Sequence, residues 1–416
     1  MTEAFTTGAP IDVAIIGGGP SGLAAATALK QAGIARVVVL EREVEAGGIP
    51  RHCGHPPFGM REFGRVMKGP AYARKLVATA QAAGVEIHPL TTVAELRPDG
   101  HLLVVTPNGH VEITARRVIY ATGVRETPRS ARMISGDRCG GVLNTGALQS
   151  MVYLKGERPF TRPVIIGTEL VAFSAINTCK HAGIAPRAMV EANSRTTARW
   201  PTGLYPRLRG IPLFLNTRLE AIHGDTSVTS VRLSGPDGQA RDIACDGVIL
   251  CGKFTPESSL GRLGHLAIDP ATGGPVVDQF GRCSDPAYFA SGNLLRPVET
   301  AGWSWREGRD CGTRVAKDLT GALPATSAQI PVILKDPRLQ YTMPQRLALP
   351  LTANGMAALQ LRLNTPTRGT LVVKSGSRVL ARQKINSRPE RRILVPLNRL
   401  SGTEAGLEIY IDPGRH

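Results

Sequence analysis

D-V-A-I-I-G-G-G-P-S-G, residues 12–22, decides the reading of this chain. Asp12 to Ile16 is a short, largely apolar strand that runs into Gly17. From about Ser21 to Ala32 the sequence is rich in Ala and Leu and closes on Gly33, the pattern of a helix with a glycine stop. Arg36 to Leu40 (R-V-V-V-L) is a second buried strand, ending at Glu41. Together they predict a β-α-β unit of about thirty residues. Gly17, Gly19 and Gly22 satisfy G-x-G-x-x-G, and each has a separate task. Gly17 allows the tight turn, Gly19 leaves room for a pyrophosphate, and Gly22 lets helix and strand pack closely. The phosphates then meet free N–H groups at the positive end of the helix dipole. Glu41, at the end of the second strand, is placed for ribose hydroxyls. An acid rather than an Arg there disfavours a 2′-phosphate. The strand before, the helix after and the acid at the right distance make this a dinucleotide site rather than a plain glycine loop.

Further along, Pro70 to Gly84 reads as a helix followed by a strand over Val85 to His88. Leu102 to Thr106 and Val111 to Thr114 read as a hairpin around Pro107-Asn108-Gly109. Arg117 to Tyr120 is a strand into Ala121-Thr122-Gly123. The opening pattern then repeats: strand Pro163 to Ile166 into Gly167, helix Leu170 to Ala182, strand Arg187 to Val190 ending at Glu191, with Asp246 to Cys251 as a later strand. In this second unit Glu169 and Ala172 stand where the second and third glycines would be. A carboxylate at the pyrophosphate position repels phosphate, so a fold relic or a weak nucleotide site is the expectation, with NAD or an adenine nucleotide as its ligand if it is used. Ala287 to Asn293 (A-Y-F-A-S-G-N) and a helix from about Trp305 to Leu319 follow. Past the small Pro-containing linker Gly321 to Ser327, period-two alternation at Leu359, Leu361, Leu363 and again at Leu407, Ile409, Ile411 predicts a small antiparallel β domain.

A chain of 416 residues is too long for one core. Its 42% hydrophobic and 20% charged content is that of an ordinary globular protein. No apolar run reaches the roughly 18 residues of a membrane-crossing helix, and the polar start predicts no signal peptide, hence a cytoplasmic setting. Seven scattered cysteines contain no C-x-x-C, which argues against zinc, a four-cysteine cluster or dithiol reductase chemistry. No metal site is expected. The net charge of +17 comes from dispersed basic residues with only short clusters such as Arg388, Arg391 and Arg392. Without a nucleic-acid motif, that charge suggests a cofactor phosphate site and an acidic partner rather than nucleic acid. Arg51 to Gly59 (R-H-C-G-H-P-P-F-G) groups His52, Cys53 and His55. These are candidate catalytic residues, able to supply an acid, a nucleophile or a cation, and equally able to shape a pocket or a partner interface.

Two later segments resemble those of two-dinucleotide-domain flavoproteins. Arg117 to Gly123 (R-V-I-Y-A-T-G) is similar to their A-T-G segment, and Phe289 to Asn293 (F-A-S-G-N) to their F-A-x-G-D segment, with Asn293 in place of Asp. The resemblance implies FAD. It implies an α/β fold: a Rossmann-like FAD domain (1–125 and 253–322), an inserted NAD-like domain (126–252) and the small β domain (330–416). It also implies cofactor contacts from Gly17, Gly19, Pro20, Ser21, Gly22, Glu41, Arg42, Gly48, Val93, Ala121, Thr122, Gly123, Gly292, Asn293, Thr300 and Ala301. Asn293 is expected to reach a ribityl hydroxyl, and the following helix to aim its N-terminus at the flavin pyrimidine. Trp303 and Trp305 are expected to pack on the flavin or on a partner.

More specifically, Gly47 to Gly59, Gly140 to Leu148 and Asn293 to Gly308 resemble the FAD-binding A (alpha) subunits of multicomponent amino-acid and amine dehydrogenases. That group includes opine oxidases, dye-linked proline and hydroxyproline dehydrogenases, the hydrogen cyanide synthase flavoprotein and heterotetrameric sarcosine oxidase alpha. The resemblance implies an electron-relaying subunit with two kinds of partner, a small [2Fe–2S] ferredoxin-like subunit plus a D-amino-acid-oxidase-like flavoprotein subunit. The four-cysteine module of many relatives is absent, and a β-rich tail stands in its place. Two other readings stay open: a self-sufficient NAD(P)H-dependent flavin reductase, and a non-catalytic scaffold with structural FAD.

Overall fold

Val13, Ala14 and Ile15 are fully buried, as continuous apolar runs are when both faces of a parallel strand are covered. The protein is described by a computed structural model covering residues 10–412, apart from 325, 353, 402 and 404. Strand β1 (Ile11–Ile16) leads through the glycine turn into helix α1 (Pro20–Gln31), and β2 (Val37–Leu40) returns parallel to β1. Helix α2 (Gly69–Ala82) precedes β3 (Glu86–His88), β4 (Thr92–Leu96), β5 (His101–Thr106) and β6 (Gly109–Tyr120). The expected hairpin and the strand after it are not separate: β6 is one continuous strand. It pairs antiparallel with β5 over its first half and parallel with β1 over its second. Its two arginines are paired, Arg116 with Asp12 at 3.0 Å and Arg117 with Asp318 at 2.6 Å.

The chain divides into two compact units: residues 1–48, 73–124 and 256–416, and residues 49–72 with 125–255. In the second unit, β7 (Val142–Asn144), helix α3 (Thr145–Lys155), β8 (Pro163–Ile166), helix α4 (Leu170–His181), β9 (Ala188–Val190), β10 (Leu213–Phe214) and β11 (Gly247–Leu250) form a parallel sheet in the order β10-β9-β8-β11-β7. The β8-α4-β9 repeat is present as expected. An antiparallel ribbon of Arg218–Gly224, Val228–Ser234 and Ala240–Ala244 completes the unit.

Back in the first unit, β12 (Tyr288–Ala290) pairs parallel with β6, giving the order β3-β2-β1-β6-β5-β4 with β12 also on β6. The registers put Ile16, Leu40, Tyr120 and Ala290 level with one another. The candidate cofactor segments beginning at Gly17, Glu41, Ala121 and Ser291 therefore all leave the same edge of one sheet, where ligands of open α/β sheets bind. Helix α5 (Ala301–Leu319) starts four residues earlier than expected, directly after extended Thr300; the poor helix formers Gly302 and Ser304 in its first turn obscure that start in the sequence. It packs along α1. A Cβ on Gly308 or Gly312 would run into the backbone of Ser21 or Ala25, so only glycines let these helices approach so closely.

The tail is a β sandwich. β13 (Ala328–Leu334), β14 (Leu339–Met343), β15 (Arg346–Leu349), β16 (Ala358–Leu363), β17 (Thr367–Ser375), β18 (Arg378–Ser387), β19 (Ile393–Pro396) and β20 (Leu407–Asp412) make sheets ordered β15-β13-β20-β17-β18 and β14-β16-β19. The alternating Leu359, Leu361, Leu363 and Leu407, Ile409, Ile411 all face one core. The sandwich is not wholly antiparallel: β13 runs parallel to β20. It is joined to the rest of its unit by hydrogen bonds, Gln279 donating to the Ala348 carbonyl and accepting from the Ala348 N–H, and Gln345 accepting from the Val277 N–H.

Candidate functional site

The glycine turn is built by close packing on three of its glycines and left open at the fourth. Gly17 has φ +105°, and a Cβ there would lie 2.7 Å from the Ala121 carbonyl oxygen. A Cβ on Gly22 would run into the Gly17 carbonyl, and one on Gly18 would meet Ala46 and Glu41. Gly19 differs: its nearest neighbour is the Gly48 Cα at 4.0 Å. Apart from that contact with Gly48 the Cβ position of Gly19 meets no other atom, so the turn has room beside Gly19 for a ligand group. Pro20 opens α1, and α1 presents unpaired N–H groups there as any helix N-terminus does.

Glu41 is buried, and its carboxylate accepts from the Gly18 and Glu43 N–H groups, both at 2.9 Å. Burial pushes its carboxyl up from the ordinary range against the pull of those donors. Arg42 is exposed and faces Glu43 at 3.7 Å. Val93 belongs to the core beside β5. The Ala121 N–H donates to the Ile16 carbonyl at 3.0 Å. Thr122 donates to the Glu257 carbonyl at 2.7 Å and Gly123 accepts from the Glu257 N–H at 2.9 Å, so both anchor a neighbouring loop. Ser21 donates to Ser291 at 2.9 Å, tying the first turn of α1 to the end of β12, and Gly292 has room only for hydrogen beside Ser21.

The Asn293 amide also has partners within the chain. Its Oδ1 accepts from the Glu299 N–H at 2.8 Å and its Nδ2 donates to the Glu299 carbonyl at 3.0 Å, so the amide closes the loop 293–299. Thr300 and Ala301 open α5. Sequence reading missed Ser304. Its hydroxyl is buried in the first turn of α5, faces Gly292, and has no hydrogen-bond partner among the described residues. An orphaned buried hydroxyl between the starts of α1 and α5 is what a bound polar ligand would satisfy. Open Gly19, buried Glu41 and orphaned Ser304 all fit FAD.

Residues 10–65 match the family described as FAD binding domain. The thioredoxin reductase of T. acidophilum superposes with a TM-score of 0.61 at 21% identity, over 74% of this chain and 98% of that one. The chain is an FAD flavoprotein of the oxidoreductase class, with the two-dinucleotide-binding-domain fold. The chlorobenzene dioxygenase ferredoxin reductase component of Cupriavidus sp. strain PS12 is similar to it, 26% identical over 308 residues, 71% of this chain and 68% of that protein. The opine oxidase A subunit of Agrobacterium tumefaciens strain Ach5 is 25% identical over 314 residues, 68% of this chain and 61% of that protein.

The second β-α-β unit of this flavoprotein has the same backbone and a different filling. Gly167 keeps the left-handed turn at φ +104°. At the position of Gly19 stands Glu169, whose carboxylate accepts from the Lys253 N–H at 3.1 Å and crowds Gly252. At the position of Glu41 stands Glu191, saturated by the Thr168 hydroxyl and by the Asn193 N–H (2.9 Å) and side-chain amide (2.7 Å). Glu126, unremarked in the sequence, accepts from the Gly146 N–H at the start of α3 (2.8 Å) and from the Gly252 N–H (2.9 Å). Glu169, Glu191 and Glu126 are thus each held by N–H or hydroxyl groups of this unit's own chain.

The loop with His52, Cys53 and His55 packs on α3 of the second unit. The Cys53 thiol points at the Ile49 carbonyl (3.4 Å) and Gln149 Oε1 (3.5 Å), and burial, with Glu126 nearby, pushes its pKa up to about 12. Burial thus disfavours the thiolate that a nucleophile at this position would need. His55 bonds the Pro56 carbonyl and leans on Phe58. Among the described residues no three His, Cys, Asp or Glu side chains converge on a metal position. Burial, with Arg51 beside it, lowers the pKa of His52 from 6.5 to about 4. The unfolded chain takes up this proton near pH 6.5 and the folded chain only near pH 4. Stability from this residue is therefore intact above pH 6.5 and drains between pH 6.5 and 4, by at most about 3 kcal/mol. His52→Gln should flatten urea-unfolding stability over that window; an unchanged slope would refute the assignment.

Proposed function

We propose that this chain is the FAD-bearing, electron-relaying subunit of a hetero-oligomeric dehydrogenase or oxidase acting on an amino acid, an opine or a related amine, with substrate oxidation on a partner subunit. One contrast carries the reading: Gly19 leaves the pyrophosphate position of the first seat unfilled, while Glu169 stands at that position in the second. Nicotinamide nucleotides then lack a seat, and the buried cysteines offer no dithiol. Electrons must come from another protein. Two relatives named above are components of larger systems, a dioxygenase component and an oxidase subunit, which supports the same division of labour.

Bound FAD supplies reversible two-electron chemistry. The chain's own residues would do the holding: Gly19 and the start of α1 the diphosphate, Glu41 the adenosine ribose, Ser304 and the first N–H groups of α5 the flavin side. The partners of this proposal are a small [2Fe–2S] ferredoxin-like subunit plus a D-amino-acid-oxidase-like flavoprotein subunit. The proposal includes a cytoplasmic setting, since seven buried free thiols suit a reducing compartment. Among the described residues no helix is long and apolar enough to cross a membrane.

The test is purification from the native host with mass spectrometry of the associated chains, followed by assays of the separated chain. A yellow chain that oxidises amines, amino acids or opines only after its partners are returned is expected. Turnover of such a substrate at full rate by the isolated chain would overturn the proposal.

A further inference from the structure

The β sandwich reaches the flavin-facing end of α5 with charged side chains. Glu299, one residue before the Thr300 cap, keeps only 8% of its side chain exposed; its carboxylate lies 3.2 Å from the Arg362 guanidinium and 3.2 Å from that of Arg392. Arg362 belongs to β16, and Arg392 immediately precedes β19. The same loop is clasped from behind by Asn293. Arg296, 1% exposed, binds both carboxylate oxygens of Glu307 on α5 and donates to Gln360 Oε1 on β16 at 3.1 Å. Arg392 also lies over the ring of Trp303, in the first turn of α5, at 4.4 Å. Residues 293–303 are thus gripped from the sandwich by Gln360, Arg362 and Arg392.

The charges at this point do not cancel. Three guanidinium groups, Arg296, Arg362 and Arg392, meet two carboxylates, Glu299 and Glu307, leaving one positive charge in excess. It adds to the positive end of α5 and, being largely buried, is weakly screened. Two-electron reduction places negative charge on a flavin ring, and fixed positive charge near it favours the reduced form.

We propose that the C-terminal sandwich is a redox-tuning clamp, in which Arg362 and Arg392 fix Glu299 and the N-terminus of α5 and raise the midpoint potential of the bound FAD. This rests on the reading that FAD lies at the N-terminus of α5. An arginine is suited to both tasks, since its planar group pairs with a carboxylate and stacks on an indole together.

The experiment is anaerobic dye-referenced potentiometry of the full-length, FAD-loaded chain. Arg392→Gln and Arg362→Gln should each weaken the preference for reduced flavin about tenfold, a fall of about 30 mV for a two-electron couple. Arg392→Lys should recover most of the shift. Glu299→Gln should move the potential upward, a sign reversal that loss of packing alone does not produce. Arg382→Gln, on the exposed Arg382–Asp412 pair of the sandwich, should change nothing. Wild-type potentials in both arginine variants, or a downward shift in Glu299→Gln, would overturn the clamp. If the arginine variants fail to fold, Glu299→Gln and Arg392→Lys decide by the same signs. A wild-type chain that takes up no FAD would instead sink the earlier reading.

Discussion

A valine at Gly19 should give a folded but colourless protein. Gly19 has φ −79° and ψ −177°, ordinary extended backbone that any residue adopts, so the substitution brings no dihedral strain. Nor does it bring a clash, since a Cβ there meets nothing closer than the Gly48 Cα at 4.0 Å. The side chain instead occupies the unfilled space beside Gly19 and keeps a diphosphate from the N–H groups at the start of α1. An overpacked contact of ~3 kcal/mol corresponds to about a hundredfold weaker FAD binding. Titrating the apoprotein with FAD by fluorescence quenching, alongside thermal unfolding without cofactor, measures both halves. Unchanged affinity would mean the diphosphate is not held there. Gly22→Val provides the contrast, because a Cβ at that position meets the Gly17 carbonyl and damages turn and site together.

The second large effect is on stability. Arg296→Ala should destabilise the protein by about 3–5 kcal/mol, the usual cost of removing one partner of a buried ion pair. Arg296 is almost wholly inside, bound to Glu307 and Gln360, and alanine leaves Glu307 without its partner in a partly dry environment. Chemical denaturation of the FAD-free chain measures it. Arg296→Met combined with Glu307→Met should regain most of the loss, since an apolar pair of similar volume avoids the uncompensated charge. A loss below about 1 kcal/mol in the single variant, the range of exposed pairs, would show that the pair is solvated.

The β1-α1-β2 unit was legible because its signals are local: an apolar strand, a glycine turn, an alanine-rich helix and the acid Glu41 all fall within one short stretch. The second unit was legible for the same reason, and Glu169 announced its own departure. What escaped the sequence is set by partners far away along the chain. Glu126 acquires meaning from Gly252, and Arg296 from Gln360. Ser304 stands out through what it lacks, and Asn293 turned inward to Glu299 because the loop between them closes on itself. Trp303 and Trp305 are covered by arginines of this chain, Arg392 and Arg309. Part of the basic excess is accordingly internal: Arg296 and Arg314 are buried, and Arg314 donates to the Phe280 carbonyl.

Glu169 makes the use of the second seat measurable in one cuvette. The purified chain, reconstituted with FAD and held without oxygen, is titrated with NADH while the flavin absorbance is followed. The bands should be present at one FAD per chain and should persist through a large excess of NADH, because Glu169 puts a carboxylate where the second seat would hold a pyrophosphate. Stoichiometric bleaching by NADH would contradict the account and make this a self-sufficient flavin reductase.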